Sequence, residues 1–154
     1  VVSENILSCE WSKKAHWIPI SVVSTLAGSY FAQVFVNKEL RRLYLQTMTE
    51  ITLVAAALGV EIIDIEDFEP RTLMNMSVNE AMDYLEDKGR AFYKMGLGEY
   101  KQTMLKDFEA GRKTEMEETA GYVAKQAERL SVNVPHLATM VSLIRFREET
   151  GGNG

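Results

Sequence analysis

Asn37-Lys-Glu-Leu-Arg-Arg-Leu-Tyr-Leu-Gln-Thr-Met-Thr-Glu-Ile-Thr-Leu-Val-Ala-Ala-Ala-Leu-Gly59 is the stretch on which the reading of the fold turns. Leu40, Leu43, Tyr44, Thr47, Met48, Ile51, Val54, Ala55 and Leu58 recur at three- and four-residue steps, the spacing of one face of an α-helix. Asn37 offers an N-cap oxygen, and Gly59 stops the pattern where a left-handed residue commonly ends a helix. One long amphipathic helix is predicted here.

The same period extends outward in both directions. Toward the N-terminus, Ile6, Leu7, Cys9, Trp11, Ala15, Ile18, Val22, Val23 and Leu26 predict a helix from Ser3 to about Leu26, ending near Gly28. Pro19 removes one ladder donor and crowds the carbonyl four residues back, so a kink or break is expected between Ala15 and Pro19. Toward the C-terminus, Val60 to Arg71 loses the period and has no second strand to pair with, which makes it a connector. Ser77 with Glu80 is a capping-box pair opening a helix toward Gly89, and Tyr100, Met104 and Phe108 mark another over about Glu99 to Glu109, ended by Gly111. Thr114 with Glu117 is a second capping-box pair, starting a helix along Met116, Ala120, Val123, Ala127 and Leu130 that Asn133-Val134-Pro135 breaks. Leu137, Met140, Val141 and Ile144 form the last stripe before Gly-Gly-Asn-Gly, which is expected to fray. The fold class is all-α: one bundle-like domain of about six helices over residues 1–154.

Composition narrows the chemistry. The 17 Lys+Arg and 22 Asp+Glu leave a net charge of −5, which is not the balance of a protein built to hold nucleic-acid phosphates. A single cysteine, Cys9, rules out an internal disulfide, and with only His16 and His136 the chain predicts no self-contained metal centre. A reducing, cytoplasmic setting fits, with neither a secretory leader nor a membrane span in the sequence. Gly96-Leu97-Gly98 lacks the preceding strand and third glycine of a dinucleotide fingerprint. On spacing alone, His16, His136, Cys9 and the eight methionines read as core or surface residues, and Glu115, Glu117 and Glu118 as acids that complement a helix N-terminus.

Two distant segments carry more. Trp11-Ser12-Lys13-Lys14-Ala15 and the block from Thr103 to Glu115, containing Met104, Asp107, Arg112 and Thr114 in register, are followed by Val132-Asn133-Val134-Pro135-His136. Together they resemble the ketopantoate reductase (2-dehydropantoate 2-reductase) family, specifically its C-terminal helical domain. W-x-K opens that domain, S-M-x-x-D…R-x-T-E lies late in it, and G-V-x-x-P precedes its last helix. The resemblance runs from Asn5 to about Arg145 and implies the helical architecture of 6-phosphogluconate-dehydrogenase-like reductases. It further implies a domain that binds substrate and forms dimers, acting beside an N-terminal Rossmann domain that holds NADPH and is absent from this chain. The activity implied is reduction of ketopantoate to pantoate in pantothenate biosynthesis.

Carried over by residue, the resemblance makes Lys13 the catalytic lysine, Glu115 the active-site glutamate and Thr103 the hydroxyl that contacts substrate. Trp17 and Ser21 stand where the family has substrate-binding asparagines, four and eight residues after the lysine. A tryptophan donates one hydrogen bond and cannot reproduce an amide's paired donor and acceptor, so reduction of a different 2-oxo acid is one alternative. A helical interaction or oligomerisation module without catalysis is another. No cofactor-binding residue and no metal ligand is expected within the chain itself, and the isolated chain is expected to be inactive.

Overall fold

A computed structural model describes residues 2–67 and 69–151, with side chains from residue 6 onward. The elements are α1 (Val2–Ala27), α2 (Phe31–Val36), α3 (Lys38–Ala57), α4 (Pro70–Met74), α5 (Val78–Lys94) and α6 (Thr103–Glu109). A π-helical turn (Glu117–Gly121) then runs into α7 (Tyr122–Arg129), and α8 (Pro135–Gly151) completes the domain. Among the described residues there is no strand beyond an isolated bridge at Ile65, and the fold is all-α. Two short helices, α2 and α4, add to the expected six. The last glycine-rich residues, 152–154, lie outside the described residues.

The helix does not break at Pro19: α1 runs continuously through it. The reason is burial. Ala15, Ile20, Val22 and Ser24 are fully enclosed, and Pro19 with its neighbours is buried, so packing holds the helix where the missing donor would let it go. Nor is α1 amphipathic in its second half, where residues 18–20 and 22–25 are buried on every side. It is the central helix, packed against α2, α3, α6, α8 and the π turn.

Around it, α3 begins as expected: Asn37 Oδ1 accepts hydrogen bonds from the backbone N–H groups of Glu39 (3.0 Å) and Leu40 (3.1 Å). The capping box of α5 also forms, with Ser77 N–H donating to Glu80 at 2.8 Å and Glu80 N–H to the Ser77 hydroxyl at 3.3 Å. Two helix ends are satisfied by charged side chains of α3. Glu50 of α3, only 6% exposed, accepts from the N–H groups of His136 (3.0 Å) and Leu137 (2.9 Å) at the start of α8. Its carboxylate also lies 2.6 Å from His136 Nδ1. Arg41, 4% exposed, donates to the carbonyls of Phe35 (2.6 Å) and Val36 (3.0 Å) at the end of α2 and pairs with Glu86 of α5 at 2.8 Å.

Gly89 does not end α5 as the sequence suggested; it lies inside the helix. A Cβ there would sit 2.7 Å from Phe35 Cβ and 2.9 Å from Val36 Cγ2, so the missing side chain is what lets α2 lie against α5. Gly89→Ala is therefore expected to destabilise by about 1–3 kcal/mol through overpacking, although alanine is by about 1 kcal/mol the better helix former. Urea unfolding checks this. The midpoint should fall at an unchanged slope, and an equal or higher midpoint would show that the two helices separate without cost.

Candidate functional site

One turn of helix separates Lys13 from Trp17, which places both side chains on neighbouring parts of one face of α1. Both line an open concavity of about 250 Å³ together with Glu10, Lys14 and Ile18 of the same helix. Glu118 and Thr119 of the π turn form the opposite wall. The two lysines differ in their surroundings. Lys14 pairs with Glu10, and its ammonium lies 5.5 Å from the Trp11 ring centre and 6.0 Å from that of Tyr122. Lys13 is exposed and has no ion-pair partner among the described residues. Lys14 shares the concavity, but with its charge already engaged.

The opposite wall owes its position to an unusual turn. Gly121 N–H donates to Met116 O at 2.8 Å, a bond spanning five residues, while Thr119 donates to Glu115 O from its backbone N–H (3.2 Å) and its hydroxyl (2.8 Å). Met116 and Ala120 are fully buried and anchor the turn in the core. The predicted capping box between Thr114 and Glu117 does not form. Glu117 instead makes a bidentate pair with Arg145 of α8 (Nε to Oε1 2.6 Å, Nη2 to Oε2 3.0 Å), and Thr114 donates its hydroxyl to Glu148 at 2.6 Å. A charged fork outcompetes a neutral backbone donor. The fork is possible because position 121 is glycine, where a Cβ would lie 2.6 Å from Glu117 Oε2. Arg145 holds the Glu117 carboxyl below the usual carboxylate range.

Glu115 is exposed and lies one turn before Thr119, joined to it through the hydrogen bonds just described. Thr103 is exposed at the first position of α6, which packs against α1. Ser21 is half-buried, and its carbonyl accepts from the Ser24 hydroxyl at 3.2 Å. None of these three lines the concavity around Lys13. Glu118 does, and it was legible only as one of three acids near a helix start.

Behind Trp17 the wall is aromatic. Its indole packs against His16 (ring centres 5.2 Å apart, T-shaped) and Phe31 (6.2 Å), and Phe31 in turn packs on Phe92 at 4.9 Å. His16 is buried, and its Nδ1 is hydrogen-bonded to the Tyr44 hydroxyl at 2.9 Å. Burial first, and the Lys88 charge second, push the imidazole down to about 3 from its ordinary 6.5, so it is neutral. Burial also raises the Tyr44 phenol. Lys88 itself is held by Glu69 at 2.5 Å and the Asp67 carbonyl at 2.9 Å, and the Tyr84 hydroxyl donates to the same Glu69.

Residues 5–148 match the family described as "Ketopantoate reductase PanE/ApbA C terminal". The chain belongs to this family. Solved structures agree on the fold. The dimeric ketopantoate reductase from Staphylococcus aureus matches over 96% of this chain and 45% of its own, at 22% identity and a TM-score of 0.71. The 2-dehydropantoate 2-reductase from Methylococcus capsulatus matches over 97% and 45%, at 26% and 0.69. A D-mandelate dehydrogenase, solved with NADH and anilino(oxo)acetate, matches over 96% and 54%, at 17% and 0.72. The chain therefore spans about half the length of these ketopantoate-reductase-fold enzymes. No curated protein matches its sequence. Among the described residues no helix is long and apolar enough to cross a membrane, and no group of three or more His, Cys, Asp or Glu is placed to hold a metal ion.

The neutral His16 behind Trp17 ties stability to pH. In the unfolded chain the imidazole takes up a proton near pH 6.5, whereas in the fold it does so only near 3. Its contribution is complete above about pH 6.5 and is lost progressively as the pH falls toward 3. His16→Asn, which keeps a polar partner for Tyr44 but cannot ionise, should lower the melting temperature at pH 7 yet flatten its decline between pH 7 and 4. An unchanged slope on thermal denaturation would show that His16 is not the group responsible.

Proposed function

We propose that this chain is the substrate-side domain of an NADPH-dependent reductase of 2-oxo acids, working with a nucleotide-binding domain elsewhere in the protein. One observation carries the reading: in a chain of this family, the Lys13 ammonium lacks an ion-pair partner among the described residues and shares an open concavity with the Glu118 carboxylate. The residues here do not suit the nucleotide itself. Gly96 and Gly98 follow α5 rather than a strand, and no strand leads into a glycine-rich turn among the described residues, so the pyrophosphate belongs to the partner domain. NADPH, when bound there, supplies the hydride that adds to the carbonyl carbon.

The chain's own residues deal with the oxygen. As that atom gains negative charge, an ammonium within hydrogen-bond reach stabilises it and then transfers a proton to it, giving the 2-hydroxy acid; solvent returns the proton to Lys13. A carboxylate beside the ammonium keeps it charged and oriented, a role assigned to Glu115 with Glu118 one turn further on. Thr103, Trp17 and Ser21 contact the rest of the substrate in the cleft between the domains. Assembly as a homodimer in the cytoplasm completes the reading, by analogy with the dimeric S. aureus enzyme.

In the complete protein, Lys13→Ala should lower kcat by on the order of 10²–10⁴ with little change in NADPH affinity. Lys14→Ala, which removes an ammonium already paired with Glu10, should cost far less. Steady-state kinetics with NADPH oxidation as the readout distinguish the two, and equal activity of both variants would sink the assignment. Calorimetric titration of residues 1–154 with NADPH should release no measurable heat, and micromolar binding would overturn the division of labour between domains.

A further inference from the structure

We infer that Arg145 of α8 is a positioning residue for the candidate site: by gripping Glu117 it fixes the register of the π turn in which Glu118 faces Lys13. The inference rests on the reductase reading above and adds to it a residue that does not line the concavity.

The segment ahead of the turn has a local alternative. Thr114-Glu115-Met116-Glu117 can close a capping box, with Thr114 at the N-cap and Glu117 reaching back to it, and an α-helix would then start there. Both members of that box are instead held by α8. Glu117 makes its two-point contact with Arg145, and Glu148 accepts from the Thr114 N–H at 2.9 Å and from its hydroxyl at 2.6 Å. Arg145 and Glu148 are three residues apart, so they grip from one side of one helix. That helix is itself tied down, since Leu137, Val141 and Ile144 are buried in the core and Glu50 holds the N–H groups of its first turn.

The register selects the acid that meets Lys13. Gly121 N–H bonds to Met116 O, so the turn encloses one residue more than an α turn does. A slip of one residue swings a helical side chain by about 100°, enough to carry Glu118 off the concavity wall. The fork opposes that slip, because two N–H to oxygen bonds fix the direction of the Glu117 carboxylate as well as its distance. With Glu117 committed to Arg145, the next residue, Glu118, is the acid that lines the concavity with Lys13. Gly121 lets the fork close, since a Cβ there would meet Glu117 Oε2 at 2.6 Å. Its φ of −61° is one that alanine adopts as readily, so this glycine supplies space and not backbone freedom.

The test uses the complete protein with its nucleotide-binding domain, and follows NADPH oxidation with whichever of ketopantoate, 3-methyl-2-oxobutanoate and phenylglyoxylate is reduced fastest. Arg145→Ala removes the grip, and Gly121→Ala displaces the Glu117 carboxylate from it while every charge stays in place. Each should lower kcat by about ten- to a hundredfold, the cost of a small misplacement, with KM for NADPH unchanged. Arg147→Ala, which removes a cation of α8 that stacks on Phe108, should leave kcat near that of the wild type. Circular dichroism checks folding, and Gly121→Ala, which gains helix propensity, decides alone if Arg145→Ala does not fold. A smaller folded fraction would lower kcat as well, so both changes are repeated in Glu118→Gln. That variant should itself be slowed, and Arg145→Ala or Gly121→Ala should add little to it, because no carboxylate is left to position. Losses that multiply in the double variants overturn the inference, as does wild-type kcat in Glu118→Gln or in the folded single variants; the reductase reading then stands on Lys13 and Glu115. Reduction of none of the three acids by the wild type overturns that reading, and the inference with it.

Discussion

Everything in this domain depends on the enclosure of α1. A helix of 26 residues whose second half is buried on every side cannot stand at a surface; it has to be wrapped. α3, α6, α8, α2 and the π turn do the wrapping, and their contacts are what carry the helix past Pro19 without interruption. The first half of the same helix emerges from the wrapping far enough to leave Lys13 exposed. The core and the candidate site are therefore two ends of one element. A change that shifts α1 along its axis would move Lys13 and Trp17 as well.

Tight wrapping leaves helix ends inside the protein, where their unpaired backbone groups are expensive unless something reaches them. Glu50 and Arg41 of α3 are two charged residues that do so. The first faces the positive end of α8 and the second the negative end of α2, which is the sign each helix dipole favours. Both sit on α3, so one helix fixes the ends of two neighbours. Arg41 continues to Glu86 on α5, which joins three helices through one guanidinium.

The wall facing Lys13 is built by a different compromise. A π turn is less regular than an α turn, yet here its residues alternate between anchoring and presenting: Met116 and Ala120 go into the core, Glu117 pairs with Arg145, and Glu118 and Thr119 line the concavity. Gly121 makes this possible by leaving room for the Glu117 carboxylate. The two cations that line the concavity differ: Lys14 is matched to Glu10, and Lys13 has no ion-pair partner among the described residues.

The sequence by itself determined the helical class, the caps at Asn37 and Ser77, and the family, because these depend on local period, local hydrogen bonds and residues in register. It also marked Lys13 and Trp17, four residues apart on one helix. It did not show α2 or α4, since six and five residues are too few to display a period. It put a kink or break at Pro19 and a helix end at Gly89, where tertiary packing overrides local preference: the buried helix continues through the first, and the second is glycine because Phe35 and Val36 lie against it. The partner of Glu117 was likewise decided by the tertiary structure, which brought Arg145 within reach from 28 residues away, and with it the choice of Glu118 as the acid opposite Lys13. Local rules can state which groups a residue could satisfy. Only the folded arrangement, through distance and burial, selects the one that it does.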